Sequence, residues 1–90
     1  MNTQALSAHV LHTLAQAQLQ GRASNLETLT EALQVRRGDV RRCVTLLDRE
    51  GYVDALRMRL TLPGFAIGRA LEAEALPALR QPRLRLVVAA

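Results

Sequence analysis

The chemistry-bearing residues of this 90-residue chain are mostly arginines. All twelve Lys+Arg positions are Arg, and seven of them (Arg36, Arg37, Arg41, Arg42, Arg49, Arg57 and Arg59) fall between positions 36 and 59. Asp39, Asp48, Glu50 and Asp54 stand among them, whereas residues 1–35 hold only Arg22 against Glu27 and Glu31. A guanidinium is a planar fork of donors that suits phosphate oxygens and the O6/N7 edge of guanine. Exclusive use of Arg also matches what a GC-rich coding sequence produces, so location counts for more than residue type. The net charge of +4 favours a polyanionic partner, a class that spans nucleic acid, membrane surfaces and acidic proteins.

Other reactive side chains are few. His9 and His12 stand three apart, but neither Cys43 nor a nearby carboxylate completes a metal-ligand spacing, so packing or solvated histidines are expected and no metal. There is no Ser-His-Asp or Cys-His pairing in a recognisable context, no phosphate-cradling glycine loop and no paired acids. The expectation is a protein that is not an enzyme and needs no cofactor. The single cysteine, Cys43, rules out an internal disulfide framework and falls in an apolar rhythm, which predicts a buried, reduced thiol and a cytoplasmic setting. No run of about 18 apolar residues predicts a membrane span, and no basic region followed by a hydrophobic run predicts a signal peptide.

The elements that must position the arginines follow from apolar spacing. Thr3 is expected to cap a first helix to about Leu19, with Leu6, Val10, Leu14 and Ala17 on one face and Gln20-Gly21-Arg22 ending it. Ser24 and Glu27 have capping-box spacing, which predicts a second helix from about Asn25 to Gln34 carrying Leu26, Leu29, Ala32 and Leu33. Asp39 is expected to cap or charge-complement a third helix whose stripe is Val40, Cys43, Val44 and Leu47. Arg37, Arg41, Arg42, Thr45 and Arg49 project away from that stripe. Gly51 stops the helix, and the alternation in Tyr52–Ala55 and Met58–Leu62 predicts two strands turning near Leu56-Arg57. Pro63 suits the first position of a fourth helix bearing Phe65, Ile67, Ala70, Leu71 and Ala75, which Pro77 ends or kinks. The fold class is therefore mainly α with a small β-hairpin: one domain over 1–81, followed by a tail or short strand over 82–90.

The order helix, helix, helix, hairpin, helix is that of a winged helix-turn-helix, with a three-helix core, a wing and a C-terminal helix. The stretch LTEALQVRRGDVRRCVTLLDREGYV, residues 29–53, resembles bacterial winged-helix regulators of the MarR and related groups. Those regulators place apolar residues where Leu29, Ala32, Leu33, Val35, Val40, Val44 and Leu47 stand, and Gly51-Tyr52-Val53 also matches. LTLPGFAIGRAL, residues 60–71, looks like their junction from wing to helix. The resemblance departs where those proteins often carry Ser or Thr at the start of the recognition helix, since Arg36, Arg37 and Gly38 stand there here.

What the resemblance implies is duplex DNA binding and transcription regulation, with the helix over 39–50 in the major groove. Arg37, Arg41 and Thr45 are then the base-facing candidates, and Arg36, Arg42, Arg57 and Arg59 the phosphate-holding ones. A chain this short has a thin core, so a homodimer is expected, with Leu11, Leu19, Leu71, Leu76 and Leu79 as surplus apolar surface. Gly64 and Gly68, four apart, suit either close helix approach across that interface or a frayed helix start. The alternatives are a winged helix serving as a protein-interaction module, its basic face on an acidic partner, and an RNA binder, which the scarcity of aromatics disfavours. Whether a small-molecule effector acts on it is left open by the sequence, and so short a chain has little room for a sensor pocket outside its core.

Overall fold

The computed structural model describes residues 3–71 and 76 of the chain. Four helices and a two-stranded hairpin follow in the order α1 (Thr3–Leu19), α2 (Leu26–Leu33), α3 (Arg37–Arg49), β1 (Val53–Asp54), β2 (Arg59–Leu60) and α4 (Leu62–Ala70). The expectation of a mainly helical chain with a small hairpin is met.

The core is built around α1. Leu6, Val10 and Leu14 pack with Leu29 and Leu33 of α2, Val40, Cys43, Val44 and Leu47 of α3, and Val53 and Leu60 of the hairpin. Helix α1 is buried on a wider arc than its expected stripe, because Ala5, Leu11 and Ala15 are buried as well. The second buried face is covered by α4, while Thr3, Gln4 and Gln16 stay exposed on the remaining side.

Glycine is what lets α4 come so close. A Cβ built on Gly68 would sit 2.5 Å from the Leu11 carbonyl oxygen and 2.9 Å from the Ala15 methyl, and one on Gly64 would overlap the Tyr52 carbonyl. The two glycines therefore serve packing within the chain, against α1 and the entry to the hairpin, and not a contact between subunits. For the same reason Leu11, expected on a partner-facing surface, is only 6% exposed and belongs to the core.

Several helix ends differ from expectation by a residue or more. Thr3 is the first residue of α1 and not its cap. The capping box at α2 is shifted by one residue from Ser24/Glu27. Thr28 N–H donates to Asn25 Oδ1 at 2.8 Å, and Asn25 N–H donates to Thr28 Oγ1 at 2.9 Å. Glu27 is left exposed in the first turn, where its charge opposes the positive end of the helix dipole. Helix α2 closes on Gln34 in the left-handed region (φ 58°), which turns the chain towards α3.

Helix α3 starts at Arg37, two residues before the expected cap. Arg36 holds the N-cap position without a side-chain hydrogen bond, and Asp39 sits inside the first turn. The hairpin is shorter than expected: Val53 pairs with Leu60 and Asp54 with Arg59. Thr61 N–H adds a bond to the Tyr52 carbonyl, at 3.1 Å. Asp48 fastens the turn to α3 by accepting from Ala55 N–H at 2.8 Å. Thr61 caps α4, accepting from Gly64 N–H at 3.3 Å and donating to the Gly51 carbonyl at 2.6 Å, so Pro63 is the second helical residue. Helix α4 ends at Ala70 rather than at Pro77, because Leu71 turns to an extended conformation and packs against the core. Ala75, Pro77 and the expected tail over 82–90 lie outside the described residues. No helix among the described residues is long and apolar enough to cross a membrane.

Candidate nucleic-acid interface

The outer face of α3 follows from its inner one. With Val40, Cys43, Val44 and Leu47 buried, the period of 3.6 residues turns Gly38, Arg41, Arg42, Thr45, Leu46 and Arg49 outward. These six line one shallow, open groove along the helix. Leu46, at 39% exposed, is its apolar element, and three guanidiniums ring it.

The arginines of the groove differ in their commitments. Arg42 is held at 3.4 Å by the Asp39 carboxylate one turn earlier. Arg41 and Arg49 have no acidic partner among the described residues. Thr45 Oγ1 donates to the Arg41 carbonyl at 2.9 Å. Its hydroxyl hydrogen is thus spent inside the helix, and what it offers outward is a methyl group and an acceptor lone pair.

Of the expected base-facing residues, Arg41 and Thr45 share the groove and Arg37 does not. Arg37 stands at the start of the helix and faces Glu27 of α2 at 3.9 Å, with both side chains more than half exposed, a pairing worth little in stability. Arg36 is exposed at the N-cap. Arg49 lies outside the expected site yet continues the four-residue spacing of Arg41 and Thr45, and that spacing is the signal that identifies it.

Arg57 and Arg59 belong to a different surface. With Gln18, Arg22 and Ser24 they line a cleft between the α1–α2 connector and the hairpin turn. Arg57 is bound back to Asp54, whose carboxylate accepts from its guanidinium at 3.2 Å and from its backbone N–H at 3.4 Å. Among the described residues the arginines of 36–59 thus form two groups, one along α3 and one at the hairpin, while Arg69 is exposed on α4.

The remaining reactive groups are internal or isolated. Cys43 is a free, buried thiol in hydrogen-bond contact with Ser7 Oγ at 3.4 Å. Burial pushes its pKa up, and the Ser7 contact offsets part of that shift. His9 and His12 are half-buried on α1, and no three of His, Cys, Asp and Glu converge among the described residues. Of the leucines expected to meet a partner, Leu19 is 48% exposed, Leu71 packs partly on the core, Leu76 is half-buried and Leu79 lies outside the described residues.

No family model matches the chain, and comparison with curated proteins and with solved structures found no match.

Proposed function

We propose that the protein binds duplex DNA as a small winged-helix domain, with α3 as the recognition helix and the hairpin as a short wing. The observation that carries this reading is the groove on α3, where Arg41 and Arg49 stand exposed without acidic partners on either side of Thr45. A helix with its side chains is about 10–12 Å across and the major groove about 12 Å wide, so this face meets base edges if α3 lies in that groove. Arg41 and Arg49 then have both donors of their forks free for guanine, and the Thr45 methyl suits the methyl group of thymine. Arg42, tethered by Asp39, is suited to a backbone phosphate, as is Arg36.

The setting that accompanies this reading is a cytoplasmic regulator acting as a homodimer, in the manner of the MarR-like proteins that residues 29–53 resemble. Support for a second copy comes from the exposed apolar side chains of α4, Leu62 at 84% and Ile67 at 39%. Sedimentation at micromolar concentration tests it, and a monomer there refutes the dimer.

The deciding experiment on function is fluorescence anisotropy with a labelled random-sequence duplex at low and moderate salt, comparing the native chain with Arg41→Ala/Arg49→Ala. Salt-sensitive binding that the double substitution weakens supports the reading. A folded protein with no binding at low salt refutes it, and salt-insensitive association with another protein would favour the interaction-module alternative.

A further inference from the structure

A second cationic site lies at the hairpin, and nothing in the use of α3 requires it. The cleft between the α1–α2 connector and the turn after β1 has a volume of about 280 Å³, at the small end for ligand pockets and ample for one tetrahedral oxyanion. Its polar wall is made by Gln18, Arg22, Ser24, Arg57 and Arg59, and no carboxylate among the described residues lines it. Arg22 and Arg59 have no acidic partner among the described residues, and Arg57 is the one that does, at Asp54.

Gln18 is the fixed part of this wall. Thr61 N–H bonds to the Tyr52 carbonyl, so the neighbouring pair Val53/Leu60 is of the non-hydrogen-bonded kind and the Leu60 N–H points away from β1. It donates instead to Gln18 Oε1, at 2.6 Å across 42 residues of sequence. A backbone N–H can only donate, so the amide oxygen must face Leu60. The Gln18 NH₂ is therefore left over as a donor, on a side chain whose orientation is already set. One immobilised amide donor, a hydroxyl and three guanidiniums form a donor-rich cleft, and two of those guanidiniums have no anion of their own.

We infer that this cleft binds a phosphoryl group. Guanidinium forks match phosphate oxygens two at a time, and the Gln18 amide and Ser24 hydroxyl add donors for the remaining ones. The chemistry is shared by two sources, a phosphate of a duplex backbone lying along the hairpin and a free phosphate or phosphomonoester. The site goes beyond the proposed DNA reading and does not depend on it.

The test uses the full ¹⁵N-labelled chain. Inorganic phosphate is titrated at constant ionic strength against chloride, with acetate as a second anion, following the Gln18 side-chain amide and the Nε–H groups of Arg22, Arg57 and Arg59. Saturable shifts confined to this cleft are expected. Affinity should fall about tenfold or more in Arg22→Gln and in Arg59→Gln, as loss of a charge-assisted bond implies, and stay unchanged in Arg41→Ala/Arg49→Ala. The backbone spectrum of each variant establishes that it remains folded. A response no larger than that to chloride, an equal response to acetate, or one that ignores both glutamine substitutions overturns the inference.

A short random-sequence duplex then separates the sources. If it moves the same signals and competes with phosphate, the DNA backbone supplies the group; if phosphate saturates the cleft while duplex leaves those signals unmoved, a free phosphoryl group does. Phosphate binding that persists in a protein unable to bind any duplex would sink the DNA reading and support this one.

Discussion

The carbonyl oxygen of Leu11 in α1 lies 2.5 Å from where a Cβ on Gly68 of α4 would be, closer than real Cβ atoms approach anything. Two helix backbones therefore meet with no side chain between them, and the contact closes α4 over the second apolar face of α1. Any side chain at 68 must push the helices apart, against a core that transmits strain because it is close-packed.

Gly68→Ala is accordingly expected to destabilise the protein by about 3 kcal/mol or more, at the upper end of what overpacking costs. Gly64→Ala should be at least as severe, since its new methyl meets backbone at Tyr52 with no flexible side chain to give way. Denaturant midpoints read by circular dichroism check both. A Gly68→Ala variant as stable as the native chain would mean that α4 does not pack on α1 as described, and a Gly64→Ala variant as stable would mean that α4 does not seat on the Tyr52 backbone.

Gly38 and Gly51 make a pair with opposite expected signs. Gly38 lies in the first turn of α3 with ordinary helical backbone and nothing within 4 Å of an added Cβ. Gly38→Ala should therefore raise stability by about 0.5–1 kcal/mol through helix propensity alone. Gly51 also has open space around it, but its φ is +88°. Gly51→Ala should cost about 1–2 kcal/mol for the left-handed backbone alone. Thermal melts of the two variants against the native chain decide the signs.

Most of the element order was legible because the apolar residues repeat at helical spacing and glycine or proline punctuates the joints. Leu6, Val10 and Leu14, and Val40, Val44 and Leu47, announce their helices and their inner faces. What was not legible is which competing contact wins. Asn25/Thr28 and Ser24/Glu27 both have capping-pair spacing, and local spacing alone does not choose between them; the structure uses Asn25/Thr28. Leu11 has the same local signal as a surface leucine, and its burial depends on tertiary packing, with α4 closing on α1 where Gly68 meets the Leu11 backbone. The arginine cluster shows the same limit. Spacing predicts that Arg41, Thr45 and Arg49 align, but no local rule says that Arg57 and Arg59 join Arg22 across the hairpin cleft.

Cys43 links stability to pH at the alkaline end. Its folded pKa is raised by burial, so the folded state holds the thiol proton where the unfolded chain has released it. Stability from this group is therefore complete below the unfolded thiol pKa of about 8.5 and is lost as pH rises from there through the folded value. Cys43→Ala should be less stable at neutral pH for lost packing, yet show a shallower decline as pH rises above about 8.5. Urea midpoints over that alkaline range, native against variant, isolate the contribution of the thiol. Parallel declines would show that the thiol is not buried.

The tether between Asp39 and Arg42 offers a gain-of-binding test of the α3 face. Asp39 places a negative charge in the groove's neighbourhood and holds the Arg42 guanidinium at 3.4 Å, while also standing in the first turn, where it favours the helix. Asp39→Asn removes the charge and keeps the shape. Two effects with opposite consequences follow. The helix should lose about 0.3–1 kcal/mol of dipole stabilisation, visible in the melt. If α3 meets DNA, the released Arg42 should tighten duplex binding at low salt and steepen the log–log salt dependence by up to about 0.9, the value for one more phosphate neutralised. A protein that is less stable and binds more tightly is the expected result, measured by anisotropy on the same duplex at several salt concentrations. Unchanged affinity and slope in a folded Asp39→Asn variant would mean that Arg42 lies outside the interface, and would point the search for DNA contacts to Arg41, Arg49 and the hairpin.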